Sequence, residues 1–204
     1  AGEIYFSIGM SEPDAGSDLA NIRSTATRTD GGWLLNGTKV WTSQAHNNHY
    51  FIVLVRTTPL AEAGSKHAGM SQFVMDLKAP GVEVRPIRLL SGHHHFNEVV
   101  MTDVFVPDHM TLGGIGNGWA QCIGELAFER SGPERYLTTF PLLRALVDAV
   151  GTNPDRAAAS AIGMICARLS ALRRMCISVA VSLGAGRLPV TEAAVVKDLG
   201  TRLE

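Results

Sequence analysis

The spacing of hydrophobic and polar positions changes about halfway along the chain. Up to about Val106, short apolar runs alternate with turn signals such as Asp30-Gly31 and Pro80-Gly81. This pattern is typical of strands joined by tight turns. After the glycine-rich stretch 113–118, apolar residues recur every three or four positions. That second period predicts helices.

The first half predicts several short strands. Phe51–Val55 is a continuous apolar run, which indicates a strand buried on both faces. Asn36-Gly37 is a further turn signal. The other predicted strands are Ile4–Ile8, Ile22–Thr29, Trp33–Leu35, Thr38–Trp41, Gln72–Leu77, Val82–Arg85 and Asn97–Val106. Short strands at this spacing predict a compact antiparallel β-sheet domain of the sandwich or barrel type.

The second half predicts part of an antiparallel helix bundle. A long helix is expected from Asn153 as N-cap and Pro154 as first residue to about Gly184, and Pro189 can open the next helix. The long helix has an apolar stripe that requires a partner helix. The stripe consists of Ile162, Ile165, Leu169, Leu172, Cys176 and Val179. We therefore predict an α+β protein with a β-domain at 1–112 and a partial helical domain at 113–204.

Composition narrows the class of protein. The chain has 204 residues, 46% of them hydrophobic and 18% charged, with a net charge of −1. These values are those of a globular protein and give no electrostatic reason to expect nucleic acid or an anionic membrane as partner. No apolar run is long enough to span a membrane. Cys122, Cys166 and Cys176 lack metal or disulfide spacing and predict buried, reduced thiols of an intracellular protein.

The ends of the chain suggest a piece of a longer protein. The sequence has no initiator Met, opens almost directly in a strand and stops within a helical pattern. No signal or targeting segment is recognisable. We expect a fragment or the ordered core of a longer chain.

The stretch Gly9–Asp18 is unusually rich in hydroxyl, carboxylate and glycine residues. Such a loop allows main-chain N–H groups and hydroxyls to approach a flat polar ligand. The same composition is also compatible with an ordinary turn rich in Asp and Ser. Composition alone leaves both interpretations open.

Gly9–Asp18 resembles the first signature of the acyl-CoA dehydrogenase family, with Asn21 standing where the family has a small residue. The order of a small β-domain followed by helices also resembles the middle and early C-terminal parts of that family. The resemblance implies FAD as cofactor. It also implies that Ile8, Met10, Ser11, Gly16 and Ser17 lie beside the flavin pyrimidine ring, where fixed donors favour hydride transfer.

A second segment, Lys39–Ser43, resembles the family's other flavin-contacting stretch. The resemblance implies that Trp41 lies against the ring face and that Thr42 or Ser43 bonds near flavin N5. An indole in that place excludes water from the hydride path. Without the resemblance, Trp41 and Trp33 would both be interpreted as core residues, and Trp33 keeps that interpretation. Ser17 is further implied to contact the acyl thioester, the alternative being that it caps a turn.

Glu129-Arg130 resembles the position at which some members carry the catalytic base. Dehydrogenation removes the α-hydrogen as a proton and therefore needs a carboxylate base. The resemblance implies Glu129 as this base, Arg130 as a contact to CoA and Phe128 as a pocket wall. The alternative is an ordinary surface ion pair between Arg130 and Glu134. The family's Arg-x-Phe-Gly stretch has no clear counterpart.

The run His93-His94-His95 can be interpreted as a metal site. Consecutive side chains point in different directions, however, so three adjacent imidazoles rarely converge on one ion. We assign no metal and expect the run to form a loop beside the flavin or acyl-CoA.

The function implied by the resemblance is FAD-dependent conversion of an acyl-CoA to a trans-2-enoyl-CoA, as in fatty acid β-oxidation. Its partners would be an electron-transfer flavoprotein and further copies of the chain, in a dimer or tetramer. The expected location is the cytoplasm, or the mitochondrial matrix in a eukaryote. Alternatives are a flavin-dependent oxidase or monooxygenase on the same fold, and a non-catalytic core or subunit that binds no FAD.

Overall fold

The computed structural model describes residues 2–204, which divide into two compact units, one ending at Gln121 and one covering Cys122–Glu204. The first unit contains eight strands within the described residues. The strands are β1 Phe6–Gly9, β2 Thr25–Thr29, β3 Gly32–Ser43, β4 Tyr50–Arg56, β5 Met70–Asp76, β6 Val82–Arg88, β7 His94–Pro107 and β8 Thr111–Leu112.

The strands form one sheet in the order β6-β7-β3-β2-β4-β5-β8, with β1 pairing alongside β4. Most neighbours are antiparallel, but β1 runs parallel to β4, and β2 meets β4 through one parallel pair, Thr25 with Arg56. The α+β class is confirmed, while the sheet is mixed rather than purely antiparallel. The cause is topological, because the β2–β3 hairpin lies between β1 and β4 in sequence and makes their pairing a crossover.

The core of this unit lies between the inward faces of the strands. Phe51, Val53, Leu54 and Val55 are fully buried, as the continuous apolar run predicts. Trp33 is 9% exposed, and its ring centroid lies 5.6 Å from that of Phe73. The interpretation of Trp33 as a core residue is confirmed.

The turn predicted at Asn36-Gly37 is wrong. β3 continues through both residues, with an irregular register between Leu35 and Gly37. The Asn36 side chain bonds to Asp103 on β7, where its Oδ1 accepts from the Asp103 N–H at 2.9 Å and its Nδ2 donates to Asp103 Oδ1 at 2.8 Å. Residues that favour turns here form a β-bulge, since the long pairing of β3 with β7 outweighs local turn preference. The strand predicted from Ile22 begins only at Thr25.

The first unit extends past the domain boundary predicted at residue 112. β8 ends at Leu112, but Gln121 Nε2 donates to the Leu112 carbonyl at 2.7 Å. Gly118 lies so close to Leu54 and the main chain of Met70 that an added Cβ would have 2.8 Å to each. The glycine-rich connection therefore packs with the sheet.

Five helices follow in residues 2–204: α1 Gly118–Arg130, α2 Glu134–Leu137, α3 Phe140–Val150, α4 Arg156–Gly184 and α5 Val190–Leu203. The N-cap of α4 is Asp155, whose Oδ1 accepts from the Ala158 N–H at 2.7 Å, two residues after the predicted cap. Pro189 precedes α5 as predicted. No helix among these residues combines the length and apolar character needed to cross a membrane.

The apolar stripe of α4 is covered over only part of its length. Leu172, Cys176 and Val179 are buried and cluster with Ala193 and Val196 of α5. The earlier positions of the stripe, near the start of α4, are only half-buried. The partner helix expected from the sequence is therefore present for the second half of α4.

Two of the three cysteines are buried as predicted. Cys122 and Cys176 lie inside, and burial raises the pKa of the Cys176 thiol. The prediction is wrong for Cys166, which is exposed because it follows Ile165 and lies off the buried stripe of α4. None of the three cysteines forms a disulfide within residues 2–204.

Two glycines in turns, Gly31 between β2 and β3 and Gly81 between β5 and β6, differ in how closely the backbone packs around them. Gly81 and Gly31 both have positive φ, at 89° and 70°. A Cβ on Gly81 would collide with the Thr102 carbonyl, whereas one on Gly31 would meet nothing within 4 Å. We expect Gly81→Ala to lower the free energy of unfolding by about 2–4 kcal/mol and Gly31→Ala by about 1–2 kcal/mol. Urea unfolding measures both, and equal losses would contradict the close packing at Gly81.

Candidate functional site

The loop that follows β1 is fastened to β3. The Val40 N–H donates to the Ser11 carbonyl at 2.9 Å, and Lys39 Nζ donates to the Met10 carbonyl at 3.1 Å. The two segments predicted to contact a flavin are separated in the sequence and are joined here by direct hydrogen bonds. The pairing places Met10 and Ser11 next to the strand that carries Trp41.

A buried ion pair secures this junction. Lys39 Nζ lies 2.8 Å from Glu12 Oε1, and the two side chains are 0% and 7% exposed. The Glu12 carboxylate also accepts from the main-chain N–H groups of Arg23, at 2.7 Å, and Ser24, at 3.0 Å. A buried charge is stable only when it is paired and hydrogen-bonded in this way.

The Glu12 pKa reflects opposing effects. Burial by itself raises the pKa of Glu12, but the positive charge and hydrogen bond of Lys39 lower it, as do the bonds from Arg23 and Ser24. The net effect is a pKa below the ordinary value, so the carboxylate is ionised at neutral pH.

Trp41 lies in a strained bulge of β3. Lys39 pairs with Val99 and Thr42 with Asn97, so β3 carries one more residue than β7 between these pairs. Within this bulge, Trp41 has a φ of 60°, which is a left-handed conformation. For a bulky residue this conformation costs about 1–2 kcal/mol and persists only where the surroundings enforce it.

The bulge leaves the indole of Trp41 accessible. The residue is 59% exposed, and its ring meets that of Phe96 edge-on, with centroids 6.0 Å apart and planes at 84°. A large aromatic side chain with an open face is suited to stacking on a flat ligand.

The other residues predicted to contact the flavin differ in their exposure to solvent. Ile8 is 46% exposed on β1, and the end of β1 is tied to the end of β3 because Ser7 Oγ donates to the Ser43 carbonyl at 2.8 Å. Met10 and Ser11 are half-buried, whereas Ser43 is exposed. The isoalloxazine end of FAD is flat and polar at its edge, so an open indole with flanking hydroxyl and amide groups fits it.

Thr42 differs from its neighbours. The residue is fully buried, and its hydroxyl has no hydrogen-bond partner within residues 2–204. Its carbonyl accepts from Asn97 Nδ2 at 3.0 Å. Thr42 therefore supports the segment from inside and presents no side chain at the surface.

Gly16 and Ser17 are exposed beyond a tight turn in the same loop. The turn is closed by reciprocal main-chain bonds between Glu12 and Ala15, at 2.9 and 3.1 Å. Asp18 forms an exposed ion pair with Lys66 at 3.4 Å. Within residues 2–204, no hydrogen bond joins Ser17 to Trp41, so the place of Ser17 in the site stays a prediction.

The three consecutive histidines have different partners. Ring nitrogens of His93, His94 and His95 lie near Ser91 at 3.4 Å, Asn97 at 2.7 Å and Gln44 at 3.0 Å, respectively. Within residues 2–204, no group of three or more His, Cys, Asp or Glu is arranged to hold a metal ion.

A cleft of about 590 Å³ lies elsewhere in the first unit, between β2 and the residues that follow β4. Its three arginines are already engaged, Arg23 with Asp14, Arg28 with Asp108 and Arg56 with main-chain carbonyls. None of the predicted site residues lines this cleft.

Comparison with known proteins gives a consistent result. Residues 7–104 match the family model described as "Acyl-CoA dehydrogenase, middle domain". "Acyl-CoA dehydrogenase FadE34" of Mycobacterium tuberculosis is 48% identical over 129 residues, covering 63% of this chain and 18% of that protein. "Acyl-CoA dehydrogenase FadE29" of the same organism is 39% identical over 156 residues, covering 75% of this chain and 40% of that protein. The chain belongs to the acyl-CoA dehydrogenase family.

Solved structures of the acyl-CoA dehydrogenase family extend the similarity to the helical unit. A variant of the "Tcur3481-Tcur3483 steroid ACAD" matches with a TM-score of 0.88 and 27% identity, over 99% of this chain and 53% of that chain. The chain thus spans less than half the length of the two curated relatives and about half that of the solved relative.

The predicted base and substrate residues lie at the end of α1, in the second unit. The Glu129 side chain is 58% exposed, and its Oε1 lies 3.7 Å from Arg135 Nη2. Arg135 also approaches Glu134 at 3.3 Å, so the surface pair expected between Arg130 and Glu134 is replaced by pairs with Arg135. The Arg130 side chain makes no hydrogen bond or ion pair within the described chain, residues 2–204.

Phe128 precedes Glu129 and borders a small apolar cavity of the second unit. The residue is 63% exposed, and the cavity of about 240 Å³ is also lined by Cys176 and Ile177. Phe128 and Glu129 are therefore both accessible on this unit.

Sequence reasoning missed the residues that hold the site together. From the sequence, Glu12 and Lys39 have no role beyond membership of the two segments predicted to contact a flavin. Asn97 is only the first residue of a predicted strand. Lys39 did carry a signal, because it lies on β3 opposite buried Val99, on the face that the strand pattern assigns to the core. A charged residue on a core face requires a partner.

The buried pair is expected to dominate the stability of the first unit. Lys39→Met leaves the Glu12 charge buried without its partner, so we expect the free energy of unfolding to fall by about 3–5 kcal/mol. Lys66→Met is the matched control, since its pair with Asp18 is exposed and contributes about 0–1 kcal/mol. Denaturant unfolding of both variants measures the difference, and a similar small loss in both would contradict the prediction.

Stability should also depend on pH through Glu12. Its pKa is lowered on folding, so its contribution is complete above about pH 4.5 and is lost as the pH falls below that value, through the folded pKa. We expect Glu12→Gln to be less stable than wild type at pH 7 and the two curves to converge as the pH falls below 4.5. Curves that stay parallel from pH 7 to pH 3 would contradict this assignment.

Proposed function

We propose that the protein of which this chain forms a part is an FAD-dependent acyl-CoA dehydrogenase that converts an acyl-CoA to a trans-2-enoyl-CoA. The observation that carries the proposal is the exposed indole of Trp41, held in a strained bulge next to Met10 and Ser11. Packing within the protein does not account for a strained aromatic residue at the surface. Stacking of its ring on a flat cofactor does account for it.

The residues of the first unit are assigned to the cofactor. Trp41 would cover one face of the isoalloxazine and exclude water, and Ser11 and Ser43 would supply hydroxyl donors at its polar edge. Ile8, Met10, Gly16 and Thr42 would contribute through main chain or apolar contact, and Ser17 through its exposed hydroxyl. Bound FAD would accept the substrate's β-hydrogen as hydride.

The residues at the end of α1 are assigned to the substrate. Glu129 would take the α-proton, for which it needs an accessible carboxylate, and its side chain is 58% exposed. Arg130, which has no partner within residues 2–204, would bind the CoA portion through its guanidinium. Phe128 would line the acyl pocket.

The partners and location follow from the resemblance. We propose an electron-transfer flavoprotein as acceptor and self-association into a dimer or tetramer. Exposed apolar side chains in the helical unit, such as Leu142 at 72% and Val181 at 63%, support association. The two curated relatives named above are bacterial, which favours the cytoplasm over a mitochondrial matrix.

Two measurements test the proposal. Titration with FAD should quench Trp41 emission and flavin fluorescence, and Trp41→Phe should weaken FAD binding about tenfold or more because stacking is lost. Trp33→Phe is the control, since Trp33 lies in the core. Absence of FAD binding by the wild-type chain at micromolar concentration would favour a non-catalytic core or subunit.

The FAD-loaded protein is then mixed anaerobically with acyl-CoAs of different chain length. We expect bleaching of the flavin band, at least about 100-fold slower in Glu129→Gln and nearly unchanged in Glu125→Gln, one turn earlier on α1. No bleaching with any acyl-CoA would overturn the proposed reaction. Rapid reoxidation by O₂ with product release would identify an oxidase or monooxygenase instead.

A further inference from the structure

A buried asparagine links β7 to the residue that follows Trp41. Asn97 is fully buried, and its Nδ2 donates to the Thr42 carbonyl at 3.0 Å. Its Oδ1 lies 3.1 Å from His46 Nδ1 and 2.7 Å from His94 Nε2. One amide therefore connects the strained segment of β3 to two imidazoles.

These contacts fix the protons on His46 and His94. The Thr42 carbonyl can only accept, so Asn97 must present its NH₂ group there and its oxygen to the imidazoles. An amide oxygen also only accepts, so His46 Nδ1 and His94 Nε2 must both carry hydrogen. His46 Nε2 lies 3.0 Å from Asn47 Nδ2. His46 therefore presents an N–H from Nδ1 to Asn97.

The two imidazoles also support each other by stacking. The rings of His46 and His94 lie 3.8 Å apart between centroids, with planes at 19°. A flat pair of rings bonded to one buried oxygen restricts the side chain of Asn97 to a single orientation. Asn97 is thus held in place to bond Thr42.

The segment held by this cluster lies between two left-handed residues. Trp41 has φ of 60° and Gln44 has φ of 56°. Beyond Thr42, the Gln44 N–H donates to the His95 carbonyl on β7 at 2.9 Å, and Gln44 Nε2 lies 3.0 Å from His95 Nδ1. Two strained non-glycine residues so close together persist only with support from their surroundings.

We propose that Asn97, His46 and His94 are positioning residues that hold Trp41 and Ser43 in the geometry that binds the flavin. The proposal rests on the proposed function for its ligand, but not for its mechanical part. The three side chains act through Thr42 and need not touch the cofactor. Removing them should loosen Trp41 before any cofactor is added.

The first test uses the protein without FAD. Nitrogen-15 relaxation of the Trp41 indole N–H, assigned by its loss in Trp41→Phe, should give an order parameter near about 0.8 in wild type and below about 0.6 in Asn97→Leu. Asn36→Leu is the matched control, because Asn36 also bridges β3 to β7, through Asp103, away from Trp41. An unchanged Trp41 in Asn97→Leu, or equal loosening in Asn36→Leu, would overturn the proposal.

Variants at the exposed His46 avoid damage to the core. His46→Asn retains a donor near the Nδ1 position and should keep the Trp41 order parameter, whereas His46→Leu removes it and should lower the value. Imidazole nitrogen-15 shifts should report hydrogen on His46 Nδ1 and on His94 Nε2. Absence of hydrogen from His46 Nδ1 would also overturn the proposal.

The second test adds FAD. Dissociation constants should rise about tenfold or more in Asn97→Leu and His46→Leu, and little in Asn36→Leu or His46→Asn. A wild-type chain that binds no FAD while Trp41 responds as expected would overturn the proposed function alone. FAD binding that is unaffected by Asn97→Leu would overturn the positioning role alone.

Discussion

The buried pair of Lys39 and Glu12 is the constraint on which the site depends. Lys39 lies on the core-facing side of β3, opposite Val99, where an unpaired ammonium would be strongly unfavourable. Glu12 can approach it only if the loop after β1 folds back onto β3. The carboxylate then also accepts the Arg23 and Ser24 N–H groups, so one ion pair determines the path of the loop on both sides.

Strain at Trp41 is supported from two directions. On its N-terminal side, Lys39 and Val40 are bonded to the loop, through the ion pair and through Ser11. On its C-terminal side, Thr42 is bonded to Asn97. The indole between them has little packing of its own, so its orientation comes from the main chain rather than from contacts of the ring. Such an arrangement suits a side chain whose partner is a ligand, since the open face needs no rearrangement to receive it.

The sequence predicted much of the fold because the strands of the first unit are locally consistent. Phe51–Val55 and Trp33 were assigned correctly to the core, and Pro189 to the start of α5, from period and turn chemistry alone. The failures have different causes. Asn36-Gly37 favours a turn locally, and β3 passes through it because pairing with β7 along its length is stronger. Cys166 is apolar enough for a core, yet the helix rotates it outward.

The candidate site, like the fold, was predicted only in part from the sequence. By itself the sequence determined the family, the two segments predicted to contact a flavin, and Glu129-Arg130 as the candidate base and CoA contact. Each of these is a run of contiguous residues whose chemistry is local. Only the tertiary structure decided that Met10–Ser11 adjoins Val40, that Lys39 pairs with Glu12 and that Asn97 supports Thr42. Each of these contacts joins residues far apart in the chain, and hydrophobic period carries no information on which polar side chains meet across a sheet. The strain at Trp41 depends on the register between β3 and β7, which exists only once both strands have paired.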